Sequence, residues 1–356
     1  MSLEQSAIPT FANHQTFHPR FGWIKKGFDA ATEDPDVFNR ADAPVILGVG
    51  KNMVEAIRFW CIATGVLQRQ PNPDRPRMSI AVPTQLGQAL LADGGLDPFM
   101  EDATTLWILH WRALSAPTLL PVWWSAFNDF TALEFTEAEL LHFCIDEVAN
   151  TTWSQPNPSS IRKDVDCLLR MYTSRDTRGR QTLDELLDSP FRELGIISPS
   201  PSGTDAYRFV RGAKPSLTPV AVTYACLDYM AMTEPGARTA SLTRLTADPG
   251  SPGRILKLTE DVVLTALEWA ADVVVGVGLA SPSGTAQFVL DDVPELAALA
   301  AMQVHHQARG RNVLDLPAGS LAGPGARLAS TAQVAVRDVA MAASAPRKRA
   351  NRGSAA

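Results

Sequence analysis

The densest group of side chains able to perform chemistry lies near the start of the chain. His14, His18, Lys25 and Lys26 lie there among four aromatic residues. Aromatic rings beside basic side chains can stack nucleobases and bind phosphates. Two histidines four residues apart would suit a metal on a helix, but Pro19 disfavours a helix at this point. The alternative is that this stretch packs against the next element and leaves both lysines in solvent.

A second candidate for phosphate chemistry is the stretch 50–64, which has the periodicity of an amphipathic helix. Its apolar residues recur at helical spacing, whereas Lys51 and Arg58 fall on another face, with Asn52 next to Lys51. The amino terminus of a helix favours phosphate through its free N–H groups and its dipole. The alternative for these two cations is an ordinary solvated helix face.

The elements around this helix indicate how it would be positioned. A short apolar stretch, 42–47, and the turn Gly48-Val49-Gly50 precede it, and two possible strands around a proline-rich loop follow. Helix, turn, helix and hairpin are the parts of a winged helix, with 50–64 as the recognition helix. The spacing of a phosphate-binding GxxxxGK[ST] loop is missing, so no nucleotide cofactor is predicted.

A second basic face is predicted at 158–173. Apolar residues form one stripe of this helix, and Arg162, Lys163 and Arg170 lie outside it, before an arginine-rich loop at 174–180. A possible third unit at 241–275 reads as helix, turn and strand, with the strand at 255–258. Its exposed charge is sparse, so a packing role is expected there.

The stretch 103–148 is rich in tryptophan and predicts a packed helical core. Asp97, Glu101 and Asp102 precede it. Acidic side chains are favourable in the first turn of a helix, because the amino end of the helix dipole is positive. A metal–carboxylate cluster is the alternative.

Composition limits the broad class of the protein. The chain has 356 residues, 46% hydrophobic and 20% charged, with a net charge of −6. This is too apolar for a disordered protein, and no run of 18 apolar residues predicts a membrane span. The start of the chain does not resemble a secretory leader, and four dispersed cysteines without a CxxC pair favour a reducing cytoplasm over a disulfide framework.

We therefore expect a mainly α protein with small β wings, built as tandem winged-helix-like units with a helical middle segment. The predicted divisions are a winged-helix-like DNA-binding domain (1–95), a Trp-rich helical segment (96–150), a second unit with a basic face (151–200), a third winged-helix-like domain (201–303) and a disordered basic tail (304–356).

Two long motifs, 14–27 and 47–61, resemble a bacterial domain-of-unknown-function family that accompanies DNA phosphorothioation gene clusters. Weaker similarities, among them 97–111 and 251–254, extend the resemblance over about residues 10–300. The resemblance implies a component of an anti-phage defence system that nicks one DNA strand. Sulfur-transfer and ATPase partners would then install sulfur in the backbone. It carries over no assigned catalytic residue.

Phosphodiester hydrolysis usually needs convergent carboxylates with a divalent metal, or a nucleophile with a base. No familiar nuclease motif is present, and Asp164 and Asp166 would point about 200° apart on a helix. A nicking centre, for which we expect Mg²⁺ or Mn²⁺ as the metal, would have to be assembled from distant residues. The hypothesis is a grouping of His14 or His18 with Asp29 and Glu55. The alternative function is a non-catalytic DNA-binding adaptor or transcriptional regulator of the same system.

Overall fold

The computed structural model describes residues 1–173, 189–201, 205–291 and 294–309. Within these ranges the chain is mainly helical, with eight short strands in three antiparallel sheets. The prediction of a mainly α protein with small β elements is confirmed. The arginine-rich loop predicted at 174–180, and the tail beyond residue 309, lie outside the described residues.

The first unit contains helices and one hairpin around a shared core. Its elements are α1 (Leu3–Ser6), α2 (Trp23–Glu33), α3 (Ala43–Leu47), α4 (Lys51–Ala63), β1 (Leu67–Pro71), β2 (Ser79–Pro83) and α5 (Gln85–Leu91). β1 and β2 pair antiparallel, with Leu67 opposite Pro83. The N–H of Ala81 also donates to the carbonyl of Pro35 over 2.9 Å, so the segment between α2 and α3 joins the edge of the hairpin.

Close helix packing sets the orientation of α4. A Cβ at Gly27 of α2 would lie 2.6 Å from both Cys61 Sγ and Ile57 Cγ2, so only glycine permits this approach. Gly48 ends α3 with a φ of 60°, a left-handed conformation that glycine adopts without strain. The chain can therefore turn sharply and begin α4 three residues later.

The middle segment is the tryptophan-rich core that the sequence predicts. It comprises α6 (Ala103–Leu114) and α7 (Pro121–Trp124), which continues into a π-helical turn at Ser125–Asp129. Four of its tryptophans are at most 1% exposed: Trp107, Trp111, Trp123 and Trp124.

The acidic residues before α6 start that helix. Asp102 accepts a hydrogen bond from the N–H of Thr104. Asp97 accepts bonds from the N–H groups of Glu101 and Asp102 and from the hydroxyl of Thr105. The helix-start interpretation accounts for Asp97 and Asp102, because both carboxylates satisfy N–H groups that have no partner within the helix.

The second unit spans 134–209. Its elements are β3 (Glu134–Thr136), α8 (Glu137–Ala149), α9 (Pro158–Tyr172), a 3₁₀ turn (Pro190–Leu194), β4 (Ile197–Pro199) and β5 (Ala206–Phe209). The strand order is β3-β5-β4, all antiparallel. The boundaries expected after residues 150 and 200 therefore fall inside one unit, because strands far apart in the sequence pair with each other.

The third unit spans 219–290 and is followed by a long helix. Its elements are α10 (Pro219–Thr233), β6 (Thr239–Ser241), α11 (Leu242–Ala247), α12 (Pro252–Ile255), α13 (Glu260–Val273), β7 (Val277–Ala280) and β8 (Gln287–Leu290), and α14 (Pro294–Ala308) follows. The strand order, β6-β8-β7, repeats that of the second unit.

Two local expectations for this region are corrected. The strand expected at 255–258 is absent from this described segment, because Ser251 caps the short helix α12 and Lys257 takes a left-handed φ of 53°. Helix α14 continues past the tail boundary expected at residue 303, since His305 and Arg309 contact the carboxylate of Asp102.

The units share one hydrophobic core rather than separate ones. At its centre, His110 of α6 bonds Tyr172 of α9 (2.8 Å) and the carbonyl of Ile255 in α12 (3.1 Å). The carbonyl can only accept, so Nε2 carries the proton and Nδ1 accepts from the tyrosine hydroxyl. None of the described helices has the length and apolar character needed to cross a bilayer.

Candidate nucleic-acid interface

The start of α4 presents the polar groups that the sequence predicts for a phosphate-binding helix. Lys51 and Asn52 are its first two residues, and both side chains are exposed. Within the described residues, Lys51 makes no ion pair with an acidic side chain. Its charge is therefore available to a ligand at the end of the helix where the dipole is positive.

Arg58, two turns further along α4, is bound by its own chain. Its Nη1 donates to Asn39 Oδ1 over 3.1 Å, and its Nη2 donates to the carbonyl (2.8 Å) and the hydroxyl (2.9 Å) of Ser79. Burial lowers the pKa of Arg58, and the positive charge of Arg69 lowers it further. The guanidinium thus joins α4 to the start of β2, next to the hairpin loop, a role that periodicity alone does not reveal.

The two lysines of α2 differ in the same way. Lys25 is 12% exposed, and its Nζ lies 2.6 Å from Asp29 and 3.4 Å from Asp93, so two carboxylates neutralise it. Lys26 is exposed, although its Nζ donates to the carbonyl of Leu47 at the end of α3 over 3.1 Å. Only Lys26 of this pair presents an uncompensated charge beside the α3–α4 turn.

On α9, Arg162 and Lys163 are exposed near the beginning of the helix. Arg170, near its end, lies 2.8 Å from Asp166 and donates to the carbonyl of Thr16 over 2.9 Å. The predicted second basic face therefore retains its first two cations, whereas the third holds the N-terminal segment against α9.

The histidines proposed for catalysis are inside the protein. His14 is 1% exposed, its Nε2 donates to Asp164 Oδ1 over 2.6 Å, and its ring stacks on Trp60. His18 is 3% exposed. The expected grouping of His14 with Asp29 and Glu55 is not formed among the described contacts, because the buried partner of His14 is Asp164. The aromatic N-terminal cluster packs under α4, as its alternative interpretation predicts, but Lys25 does not stay in solvent as that interpretation also expected.

The family described as "Protein of unknown function (DUF4007)" matches residues 11–306. The chain belongs to this family. An SspB crystal structure is similar with a TM-score of 0.81 and 35% identity, covering 88% of this chain and 93% of that chain. A magnesium ion-bound SspB crystal structure has a TM-score of 0.80 and 35% identity, covering 86% and 91%. No curated protein matches the chain.

The family relationship confirms the resemblance inferred from the two long motifs, and the second SspB structure raises the question of a metal site. In this DUF4007 chain, the described residues include no group of three or more His, Cys, Asp or Glu placed to hold a metal ion. Asp29 is paired with Lys25, whereas Glu55 is exposed on α4. A preformed metal cage is therefore not part of the described structure.

A polar network that the sequence did not predict supports the hairpin loop. Asp36 accepts hydrogen bonds from Asn39 (2.7 Å) and Asn72 (3.0 Å), and pairs with Arg75. The buried Asn72 in turn accepts the N–H groups of the loop residues 74 and 75. Asn72 within a proline-rich loop was the available signal, because asparagine side chains commonly bond the backbone of turns.

Proposed function

We propose that the protein binds duplex DNA through its first unit and nicks one strand within a phosphorothioation-based anti-phage system. The observation that carries this proposal is the similarity to SspB over 93% of that chain at 35% identity. The protein would act in the cytoplasm, with DNA and with the sulfur-transfer and ATPase partners of the system. Its four cysteines are all free and buried, which suits a reducing compartment: Cys61, Cys144, Cys167 and Cys226.

The arrangement of the first unit supports DNA binding. Helix α2, the short α3, the glycine turn, helix α4 and the β1–β2 hairpin follow one another in the order of a winged helix, and Pro35 supplies the extra edge contact. In the second and third units the first strand pairs with the last, as β3 does with β5 and β6 does with β8. We therefore interpret all three as winged-helix-like units, of which the first carries the DNA-reading helix α4.

Accessibility divides the expected interface residues into two roles. Lys51, Asn52 and Lys26 would contact DNA at α4, with Arg162 and Lys163 at a second contact on α9. Arg58, Lys25 and Arg170, which the sequence also assigns to the interface, would act by holding the elements in place, because their side chains bind the protein itself.

Helix α13 of the third unit differs from α4 in the charges that it exposes. Its exposed charges are acidic, at Glu260, Asp261, Glu268 and Asp272. Phosphate repulsion argues against DNA contact there, so this unit would pack within the protein or face a partner.

The Lys51→Glu variant tests the DNA contact. Replacing a free cation at the start of α4 by an anion should weaken duplex binding by about tenfold or more and reduce the salt dependence of the affinity. Fluorescence anisotropy across a salt series measures both quantities. Arg238→Glu, the same charge change at an exposed site of the third unit, is the control. Equal affinities for wild type and Lys51→Glu would contradict the assignment of α4.

Nicking is tested with supercoiled plasmid. We expect open circles in Mg²⁺ or Mn²⁺ and none in EDTA. Mg²⁺ commonly binds one or two carboxylates together with substrate phosphates, so it does not require the three-residue cluster that the described residues lack. Glu55 is the accessible candidate on α4.

The alternative is a DNA-binding adaptor or regulator without cleavage. The burial of His14 and His18 favours this alternative, because neither ring can reach a phosphodiester in the described conformation. Plasmid retardation without relaxation in either metal would support the adaptor and contradict the nickase.

A further inference from the structure

A large cavity lies away from the amino terminus of α4, where the first unit meets the middle segment and α10. It has a volume of about 780 Å³. The residues that give it chemical character come from four different parts of the chain: Asn13, Gln68, Arg69, Arg112, Tyr224 and Met232. Cavities of this size commonly hold small organic ligands.

Arg112 supplies a fixed positive group in the wall of this cavity. Its Nη1 lies 2.7 Å from Asp228 Oδ2, and the charge of Asp228 is the main cause that raises the pKa of Arg112. Its Nε is buried without a hydrogen-bond partner among the described residues. The buried Nε is out of reach of a ligand, but 28% of the Arg112 side chain is exposed, so its guanidinium can still bind an anionic oxygen at the cavity.

Tyr224 and Arg69 add two further donors. Tyr224 is 3% exposed, and its hydroxyl makes no hydrogen bond within the described part of the chain. Burial raises the pKa of Tyr224, so the hydroxyl stays protonated. Arg69 is exposed on β1 at the cavity and has no ion pair within the described ranges. Since Asp228 compensates Arg112, Arg69 leaves the cavity with a net positive charge.

The remaining wall is suited to an apolar group. Ile8, Ile62 and Met232 line it beside the polar residues. A ligand that combines an anionic end with a planar, partly apolar body would satisfy both halves of the cavity, whereas a bare anion would leave the apolar side unused.

We propose that this cavity binds a nucleoside monophosphate, with the phosphate bound by Arg69 and Arg112 and the base lying against the apolar wall. The same chemistry is offered by a free nucleotide and by the phosphorylated end of a DNA strand. The site shares no residue with the α4 interface and does not depend on the proposed function. It also differs from the Gly48–Lys51 turn, where the sequence excluded a nucleotide loop.

Isothermal titration of the full chain tests the proposal with dAMP, inorganic phosphate and a short 5′-phosphorylated single strand. We expect dAMP to bind more tightly than phosphate. Arg69→Gln and Tyr224→Phe should each weaken dAMP binding, the first by about tenfold or more because it removes a charge-assisted contact. Arg77→Gln removes an exposed arginine on the hairpin loop, outside the cavity lining, and should leave binding unchanged.

The outcomes separate the alternatives. Strand-end binding that exceeds dAMP binding, and is weakened by Arg69→Gln, would support the site and identify a DNA terminus as the source of the ligand. Phosphate binding as tight as that of dAMP would overturn the nucleotide assignment, as would dAMP binding unaffected by both cavity variants. Absence of dAMP and strand-end binding at millimolar concentration would overturn the site. Lys51→Glu should leave dAMP binding intact. A failure of the proposed DNA contact at α4 can therefore be distinguished from a failure of the cavity proposal.

Discussion

At the residue scale, the partner of a charged group decides its role more than its type does. Lys51 and Arg58 lie on one helix, yet the first is free for a ligand and the second is held by Asn39 and Ser79. The sequence predicted the positions of both on α4. It could not predict the partners of Arg58, because they lie 19 and 21 residues away and meet it only after the hairpin has formed.

Asp164 provides a stability prediction at this scale. Its Oδ1 accepts the N–H of Ala12 over 2.9 Å and His14 Nε2 over 2.6 Å, and the residue is 2% exposed. Asp164→Ala should lower the free energy of unfolding by about 3 kcal/mol, since it leaves the buried His14 donor and the half-buried N–H of Ala12 unpaired. Urea denaturation measures the change.

The control for this prediction is Asp166→Ala on the same helix. Asp166 pairs with Arg170, and both side chains are about one-third exposed. Because solvent screens such a pair, its loss should cost less than about 1 kcal/mol. Equal destabilisation by the two substitutions would show that the buried contacts of Asp164 contribute nothing beyond a surface pair.

At the element scale, local periodicity predicted the helices well but not their assembly. The helices expected at 50–64 and 158–173 appear at Lys51–Ala63 and Pro158–Tyr172. Their apolar stripes are a local signal, so the sequence contains it directly. The pairing of β3 with β5 joins Glu134 to Arg208, and no local pattern specifies such a partner. The expected boundaries after residues 150 and 200 could not take this pairing into account.

The candidate functional residues also fall into those that local sequence signals predict and those that depend on tertiary packing. Exposure at the start of α4 follows from amphipathic spacing, so Lys51 and Asn52 were predictable. The cavity of Arg112 and Tyr224 was not, because α6, α10 and β1 form it only when the units pack together. The buried His14–Asp164 contact was equally hidden, since 150 residues separate its two partners.

At the scale of the whole molecule, buried polar groups join the units. His110 connects α6, α9 and α12, and two buried lysines lie nearby. Lys214 Nζ donates to the carbonyl of Leu256 (2.9 Å), and Lys257 Nζ donates to that of Phe127 (2.7 Å). Burial lowers the pKa of each lysine to about 7. The junction is therefore held by hydrogen bonds from groups that are costly to charge.

His110 makes this junction sensitive to acid. Burial lowers its pKa from 6.5 to about 4, so between these values the unfolded chain binds a proton that the folded chain does not. The contribution of His110 to stability is complete above pH 6.5 and declines as the pH falls to 4, by up to about 3 kcal/mol. Urea denaturation across this range should give a steeper pH dependence for wild type than for His110→Gln, which cannot titrate. Tyr172→Phe keeps the histidine buried and should retain the wild-type slope. Parallel profiles for wild type and His110→Gln would contradict a neutral, buried imidazole at the meeting point of the three helices.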